Sequence, residues 1–378
     1  MKKYMNKYMT KNYTLFGKEP EKQDRLTKSL RKIIKAPVLQ YLVFAILMSI
    51  VGYLCTEKIL PYSWQSSLAT TFASAIAAIG FCLLMGYSGL ASLGTGGFIG
   101  IGTYAVHYVM VEAGLPFVVA LAAAILIAVA IGLIVGFISL RIEGIYLVIL
   151  TLALSEILRT LYGAVQAKIS VTQRVINILG IDLQRRTSML MIVSIFLFIV
   201  MTITTNLINS PTGRAMLAMK NSTAAAQAMG ISLIKYRLMA FIICTVYAAL
   251  AGALWLLILP VDALEAASPY SLLTSLNILA AVIVGGYKSI WGTIVGTFIL
   301  CGGFDIVVLQ NEAVKSFLAT AIPGIDSNTI IYVLQGVLVI IIVMFYPGGL
   351  AQLLVELKTK LKALSKKMKE AKYGKDLG

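Results

Sequence analysis

The sequence has few charged residues for its length. Charged side chains make up 13% of the 378 residues, and hydrophobic residues make up 59%. A typical soluble domain carries about 25% charged residues, and the mean hydropathy here is +0.89. There are too few polar side chains to cover the apolar surface of a water-soluble fold. The composition therefore excludes a soluble enzyme and indicates a protein of the membrane.

Residues that build metal sites, disulfides and phosphate sites are also scarce. The chain has one histidine, His107, and four cysteines without C-x-x-C spacing, which are typical of small buried hydrophobes. No G-x-x-x-x-G-K-[ST] loop occurs, and no nucleophile lies in a pattern with a base. We expect no catalytic residue, metal or cofactor in this chain, so any ATP that drives it must bind a partner subunit.

What the chain does have is basic tails around a long apolar region. Residues 1–36 hold 11 Lys and Arg, and residues 351–378 hold 8 of the total of 32. Such tails are typical of the anionic cytoplasmic side of a membrane rather than of nucleic-acid binding. We divide the chain into a basic tail (1–37), a transmembrane domain (38–350) and a second basic tail (351–378), whose leucines follow the spacing of an amphipathic surface helix.

Apolar runs predict an all-α polytopic protein with about ten membrane spans, each needing about 20 residues. If the N-terminus is cytoplasmic, the inner segments hold 25 of the 32 basic residues, which agrees with the positive-inside rule and puts both termini in the cytoplasm. The eighth and ninth spans are separated by so few residues that a re-entrant hairpin is an alternative. The predicted spans are 38–55, 67–86, 91–111, 116–139, 145–163, 188–208, 238–260, 272–287, 290–308 and 328–346.

A glycine-rich stretch lies at the second and third spans. "GYSGLASLGTGGFIGIG" puts seven glycines into residues 86–102, and their spacing does not fit a dinucleotide-binding fingerprint. Small residues recur every four positions at Ser92, Gly96 and Gly100, which favours close helix contact. Glycine-interrupted spans also shape the path of substrate in transporters. The stretch therefore predicts helix packing, a substrate path, or both, at Ser92, Gly94, Gly96, Gly97, Gly100 and Gly102.

Six segments, in order, resemble the LivM-type permeases, the membrane subunits of ATP-binding-cassette importers for branched-chain amino acids. The resemblance covers residues from about 40 to 352. Its segments are "SLGTGGFIGIGTY" (92–104), "LRIEGIYLVILTLALSEILR" (140–159), "SPTGRAMLAMKNSTAAAQAMGISLIKYRLMAFIIC" (210–244), "ALAGALWLLILP" (249–260), "VGGYKSIWGTIVG" (284–296) and "FYPGGL" (345–350).

The resemblance implies a multi-pass protein of the cytoplasmic membrane and a set of partners. These are a second related permease, two cytoplasmic ATPase subunits and an extracytoplasmic substrate-binding protein. It also implies that the inner segment 212–232 couples to the ATPases, with Gly230 ending a short helix in the left-handed conformation. Thr223 and Gln227 replace acidic residues common in this segment. The implied coupling residues are Gly213, Arg214, Lys220, Ala225, Ala226, Ala228, Met229 and Gly230.

Ionisable residues inside predicted spans are further candidates for the substrate path. Glu156 and Arg159 are three residues apart and share a helix face. They could contact an amino-acid zwitterion, or they could only neutralise each other. Asp305 is a candidate lining residue of the ninth span. Trp255 and Trp291 are predicted to be interface anchors.

The leading interpretation is thus an importer subunit for leucine, isoleucine and valine. Related permeases for urea, short amides, nucleosides or simple sugars are alternatives within the same class. An ion-coupled secondary transporter would need more intramembrane acids than Glu156 and Asp305. A membrane-embedded enzyme would need paired carboxylates or histidines in the spans, and the sequence has none.

Overall fold

The computed structural model describes residues 37–56, 62–139, 144–166, 177–178, 181–182, 188–258, 270–303, 327–346, 348–353, 356 and 359. Asp305 and nearly all of both basic tails lie outside these ranges. The first helices are α1 (Pro37–Thr56), α2 (Tyr62–Leu83), α3 (Thr95–Val111), α4 (Phe117–Ser139), α5 (Ile145–Gln166) and α6 (Ser188–Asn209). They are followed by α7 (Pro211–Asn221), α8 (Thr223–Ala228), α9 (Leu233–Ile258), α10 (Leu272–Gly285), α11 (Ile290–Phe298) and α12 (Ser327–Phe345).

Short irregular elements interrupt this helical order. The π-helical turns Leu84–Ser88 and Ile299–Gly303 continue α2 and α11. A two-residue antiparallel hairpin, β1 (Asn177–Ile178) with β2 (Ile181–Asp182), lies between α5 and α6 and pairs Asn177 with Asp182. The fold is therefore the expected all-α polytopic one.

Each of the ten predicted spans contains a helix, but the helices differ in length. Within the described residues, six are long and apolar enough to cross a membrane: α1, α2, α4, α5, α6 and α9. Helix α3 has 17 residues, and α10 has 14. At a rise of 1.5 Å per residue, α10 is about 21 Å long, which is less than the hydrocarbon thickness of about 30 Å.

Helices α10 and α11 form a tight hairpin. A Cβ added at Gly285 would collide with the carbonyl of Gly292, and one added at Gly292 would collide with the carbonyl of Gly285. Only a hydrogen atom fits at these two crossing points. The residues that follow Gly303 lie outside the described ranges, so the hairpin and the two-span interpretations both remain predictions.

The centre of the fold consists of α2 and α9. The most apolar stretch of α2 is 89% buried, and that of α9 is 78% buried. The corresponding stretches of α1, α4 and α5 are only 17%, 28% and 22% buried. Hydroxyl groups on α2 do not disturb this packing, because Thr70, Thr71 and Ser74 each donate to the carbonyl four residues earlier, at 2.7 to 2.9 Å. The outer helices are left with apolar surface for lipid or for other subunits.

Glycine also brings α3 against α9. A Cβ at Gly102 would collide with the carbonyl of Ala249, and a Cβ at Gly252 would collide with the carbonyl of Ile99. The hydroxyl of Thr103 donates to the carbonyl of Gly252 at 2.8 Å across the same crossing. The two backbones therefore touch through small residues, as membrane helices commonly do.

Candidate functional site

The inner segment between α6 and α9 folds as a helix–turn–helix. Pro211 occupies the first turn of α7, where its missing N–H removes no helical hydrogen bond. A Cβ at Gly213 would collide with the carbonyl of Ile208, so glycine allows the tight turn out of α6. Ser222 ends α7 and caps α8, because its hydroxyl accepts from the backbone N–H of Ala225 at 3.2 Å.

Gly230 lies in the turn that closes α8, two residues after the last helical residue, Ala228. Gly230 has φ +77°, in the left-handed region. Its N–H donates to the carbonyl of Gln227 at 2.9 Å, and the N–H of Ile231 donates to the carbonyl of Ala226 at 3.0 Å. This pair of bonds is the Schellman motif, which satisfies the last carbonyls of a helix. The prediction of a left-handed cap at Gly230 is confirmed.

The predicted coupling residues divide into a surface set and a buried set. Arg214, Ala225, Ala228 and Gly230 are exposed, and Met229 is 70% exposed. Gly213 and Ala226 are buried, so they shape the segment and present no surface to a partner. The exposed set lies on α7, α8 and the turn after α8.

Lys220, at the end of α7, connects this segment to the membrane domain. Its ammonium donates to the carbonyls of Met85 and Gly86, at 3.0 and 2.8 Å, in the π-helical turn after α2. It also lies 4.7 Å from the centre of the Tyr287 ring. Burial lowers the pKa of Lys220, and the nearby charge of Lys288 lowers it further. The two carbonyls and the ring offset the cost of holding this charge.

The turn between α10 and α11 packs on the same place. Tyr87 donates from its hydroxyl to the carbonyl of Lys288 at 3.3 Å, and a Cβ at Gly86 would collide with the carbonyl of Tyr287. The end of α2, the end of α7 and the α10–α11 turn therefore form one junction. The sequence did not predict this junction, because its three parts are far apart in the chain.

The glycine-rich stretch packs within the chain. Ser92 and Gly94 precede α3, which begins at Thr95, so of the three regularly spaced small residues only Gly96 and Gly100 lie on this helix. The N–H of Gly96 donates to the hydroxyl of Ser275 on α10, at 2.8 Å. The N–H of Gly97 donates to the hydroxyl of Ser155 on α5, at 3.0 Å.

The remaining glycines of α3 have partners on different helices. A Cβ at Gly100 would collide with the ring of Tyr162 on α5, whereas Gly102 meets α9. Tyr162 also donates from its hydroxyl to the carbonyl of Gly97 at 2.8 Å. These glycines serve the packing of α3 against α5, α9 and α10 of the same chain, and not against one neighbouring helix.

Glu156 and Arg159 form the predicted pair on α5. Arg159 Nε lies 2.7 Å from Glu156 Oε2. Both side chains are partly exposed, at 37% for Glu156 and 42% for Arg159. Asp305 lies outside the described residues, so its predicted place beside the path is not described.

A polar cavity of about 200 Å³ lies among α2, α9, α10 and α12. Among the described residues, its walls carry neutral hydrogen-bonding side chains and no charged ones. Trp255 lines this cavity and is buried, which corrects its prediction as an interface anchor. Its indole N–H has no hydrogen-bond partner among the described residues. The polar lining residues are Thr70, Ser74, Trp255, Thr274, Asn277 and Gln335.

No group of three histidine, cysteine, aspartate or glutamate side chains lies close enough to hold a metal ion in the described part of the chain. Lys220 joins the end of α7 to the end of α2 and to the α10–α11 turn.

The sequence of the chain is similar to those of known transport proteins. Residues 64–346 match the model of a family described as "Branched-chain amino acid transport system / permease component". The chain is 28% identical, over 306 residues, to the high-affinity branched-chain amino acid transport system permease protein LivM of Escherichia coli strain K12. It is 27% identical, over 303 residues, to the protein of the same name from Salmonella typhimurium strain LT2. Each match covers 73% of this chain and 67% of the relative. No solved structure matches the chain.

Proposed function

Because the chain belongs to the family of permease components of branched-chain amino acid transport systems, we propose that it moves leucine, isoleucine and valine through the cytoplasmic membrane as one subunit of an ATP-binding-cassette importer. The observation that carries the proposal is the family match over residues 64–346, which includes the whole α7–α8 segment. As a member of this family the chain is a multi-pass transport subunit and not an enzyme.

In this proposal ATP is bound and hydrolysed by two separate cytoplasmic ATPase subunits. They dock on the exposed residues of α7, α8 and the turn at Gly230. A second, related permease completes the membrane part, and an extracytoplasmic binding protein delivers the amino acid. The hydrogen-bonded cap at Ser222 and the Schellman motif at Gly230 support a docking role, because both ends of α8 have satisfied backbone groups and a defined shape.

The substrate is tested by uptake in a strain from which the gene has been deleted. Restored expression should return uptake of labelled leucine, isoleucine and valine, with little uptake of urea or nucleosides. Uptake of urea, a short amide, a nucleoside or a sugar in their place would contradict the amino-acid assignment. The second candidate function is transport of such an uncharged polar solute. It is favoured by the cavity, whose described lining residues are all uncharged.

The docking surface is tested by Ala225→Trp, which places a bulky ring on the exposed side of α8. We expect the variant to reach the membrane but to lose its ATPase subunits on purification. Ala122→Trp is the matched control, because Ala122 is exposed on α4, far along the chain from α8. Normal co-purification of the ATPases with Ala225→Trp would remove α8 from the docking surface.

A further inference from the structure

Helix α5 packs on the rest of the chain through one narrow stripe. Ser155, Leu158 and Tyr162 lie against glycines of α3. The buried side chains of α5 are spaced by three or four residues, as one face of a helix requires. They are Leu147, Thr151, Ser155, Leu158 and Tyr162. The other sides of α5 contact little else in the described chain, so α5 lies at the edge of the fold.

The Glu156–Arg159 pair lies outside this stripe, at the middle of the helix. Glu156 is the twelfth of the 22 residues of α5. At 1.5 Å per residue it is about 16 Å from either end, close to the centre of a hydrocarbon layer about 30 Å thick. Arg159 Nε lies 2.7 Å from Glu156 Oε2, so the two charges are paired with each other along the helix.

Helix α4 shows what a lipid-facing helix of this chain looks like. The most apolar stretch of α4 is 28% buried, close to the 22% of the corresponding stretch of α5. The mean hydropathy is nevertheless 3.1 for α4 and only 1.5 for α5. Residues 117–139 contain no charged side chain. Ionisable residues in membrane spans almost always face protein or water rather than lipid. The outward face of α5 is therefore unsuited to lipid.

The residues around the Glu156–Arg159 pair indicate whether the outward face of α5 contacts protein or water. Ile149 and Ile157 are 56% and 59% exposed, and Ala153 lies between them on the outward face. Gly163, two turns beyond Glu156, has no atom within 4 Å of an added Cβ. Apolar and small side chains around a single ion pair suit a packed helix, whereas the wall of an aqueous channel would be polar along its length.

We propose that the outward face of α5, centred on Ala153 and Glu156, is the contact with the second permease subunit. That subunit supplies apolar side chains to Ile149 and Ile157, and hydrogen-bonding groups to the exposed sides of the Glu156–Arg159 pair. The inference rests on the proposed function, because it needs the second permease. It assigns the pair to subunit assembly rather than to direct contact with the amino acid.

The test compares two alanines, each replaced by cysteine and spin-labelled in the reconstituted complex. Ala153→Cys probes the outward face of α5. Ala130→Cys is the matched control, since Ala130 is exposed on α4, the lipid-type helix. The native Cys55, Cys82, Cys244 and Cys301 are first replaced by alanine, and uptake by this background is verified. The rate at which the spin label collides with oxygen measures its exposure to lipid. The rate at which it collides with a water-soluble nickel complex measures its exposure to water.

We expect the label at residue 153 to collide several-fold less with oxygen than the label at residue 130, and to be shielded from nickel. A cross-linker at residue 153 should join this chain to the second permease. Equal oxygen collision at the two positions, strong nickel collision at residue 153, or cross-linking to a second copy of this chain would each overturn the proposal. Whether the proposed substrate is correct is tested separately, by measuring uptake by the wild-type complex. The collision rates of the spin label do not depend on which solute is transported.

Discussion

Lys220 and Gly86 are joined by a hydrogen bond of 2.8 Å, although 134 residues separate them in the chain. The bond links the last turn of α7 to the end of α2. Of the six described helices that are long enough to cross a membrane, α2 is the most buried. A movement of α7 therefore cannot leave the end of α2 in place without breaking this bond. The adjacent bond to Met85 and the ring of Tyr287 extend the link to the α10–α11 turn.

Lys220→Met should uncouple ATP hydrolysis from transport. Methionine keeps most of the stem that packs on Gly89 but removes both hydrogen bonds of the ammonium. Hydrogen bonds to charged groups contribute about 1.5–3 kcal/mol each, so we expect uptake to fall by about tenfold or more. ATP hydrolysis by the purified complex should persist.

Lys235→Met is the control for this change, because Lys235 is exposed near the start of α9, shortly after the same segment. Uptake and ATP hydrolysis are measured in parallel on proteoliposomes. If Lys220→Met and Lys235→Met transport equally well, the link between α7 and α2 does not transmit motion.

Gly102→Ala should destabilise the folded chain. The added methyl group would collide with the carbonyl of Ala249 at the α3–α9 crossing. Overfilling a packed contact costs about 1–3 kcal/mol, so the midpoint of thermal unfolding in detergent should fall. Gly336→Ala on α12 is the matched control, since nothing lies within 4 Å of its added Cβ. That change should leave the midpoint unchanged or raise it, because alanine favours a helix by up to about 1 kcal/mol over glycine. Equal midpoints for both variants would contradict the close crossing.

The sequence could predict the helices and the cap at Gly230 because these features depend on local composition. An apolar run of the right length must bury its backbone groups in a helix whatever surrounds it. A glycine after a short alanine-rich helix is likewise a local signal. Both predictions needed only residues next to each other in the chain.

The partners of the glycines could not be predicted, because spacing gives the face of a helix but not the helix that it meets. Gly96 and Gly97 are neighbours in sequence, yet they bond to α10 and α5 respectively. The link between Lys220 and Gly86 was missed for the same reason. It depends on how α7 folds back beneath α2, and no periodic pattern records that contact.

Glu156→Gln alone should be more damaging than Glu156→Gln combined with Arg159→Gln. The single change leaves the guanidinium without its carboxylate near the middle of α5. An arginine at the centre of a membrane helix costs about 2.5–3.5 kcal/mol on insertion scales, whereas the double variant carries no charge there. The yield of membrane-inserted, folded protein is the measurement. A double variant that is worse than the single one would show that the charge of Arg159 has another partner.

Gly230 offers a test of whether the shape of the α8 turn matters for coupling. Its φ of +77° lies in the left-handed region, and no atom lies within 4 Å of an added Cβ, so a substitution acts through the backbone alone. The left-handed conformation costs an L-residue roughly 1–2 kcal/mol, and asparagine tolerates it best. Uptake should therefore fall in the order glycine, Gly230→Asn, Gly230→Ala and Gly230→Val.

A second measurement is cleavage at this turn by a protease added from the side of the membrane on which α8 lies. Cleavage should rise in the same order. Ser232→Ala, two residues further on and exposed, should change neither readout. Uptake that follows the size of the side chain but not this order, with asparagine worse than alanine, would show that Gly230 is needed for space beside the ATPase and not for its backbone conformation.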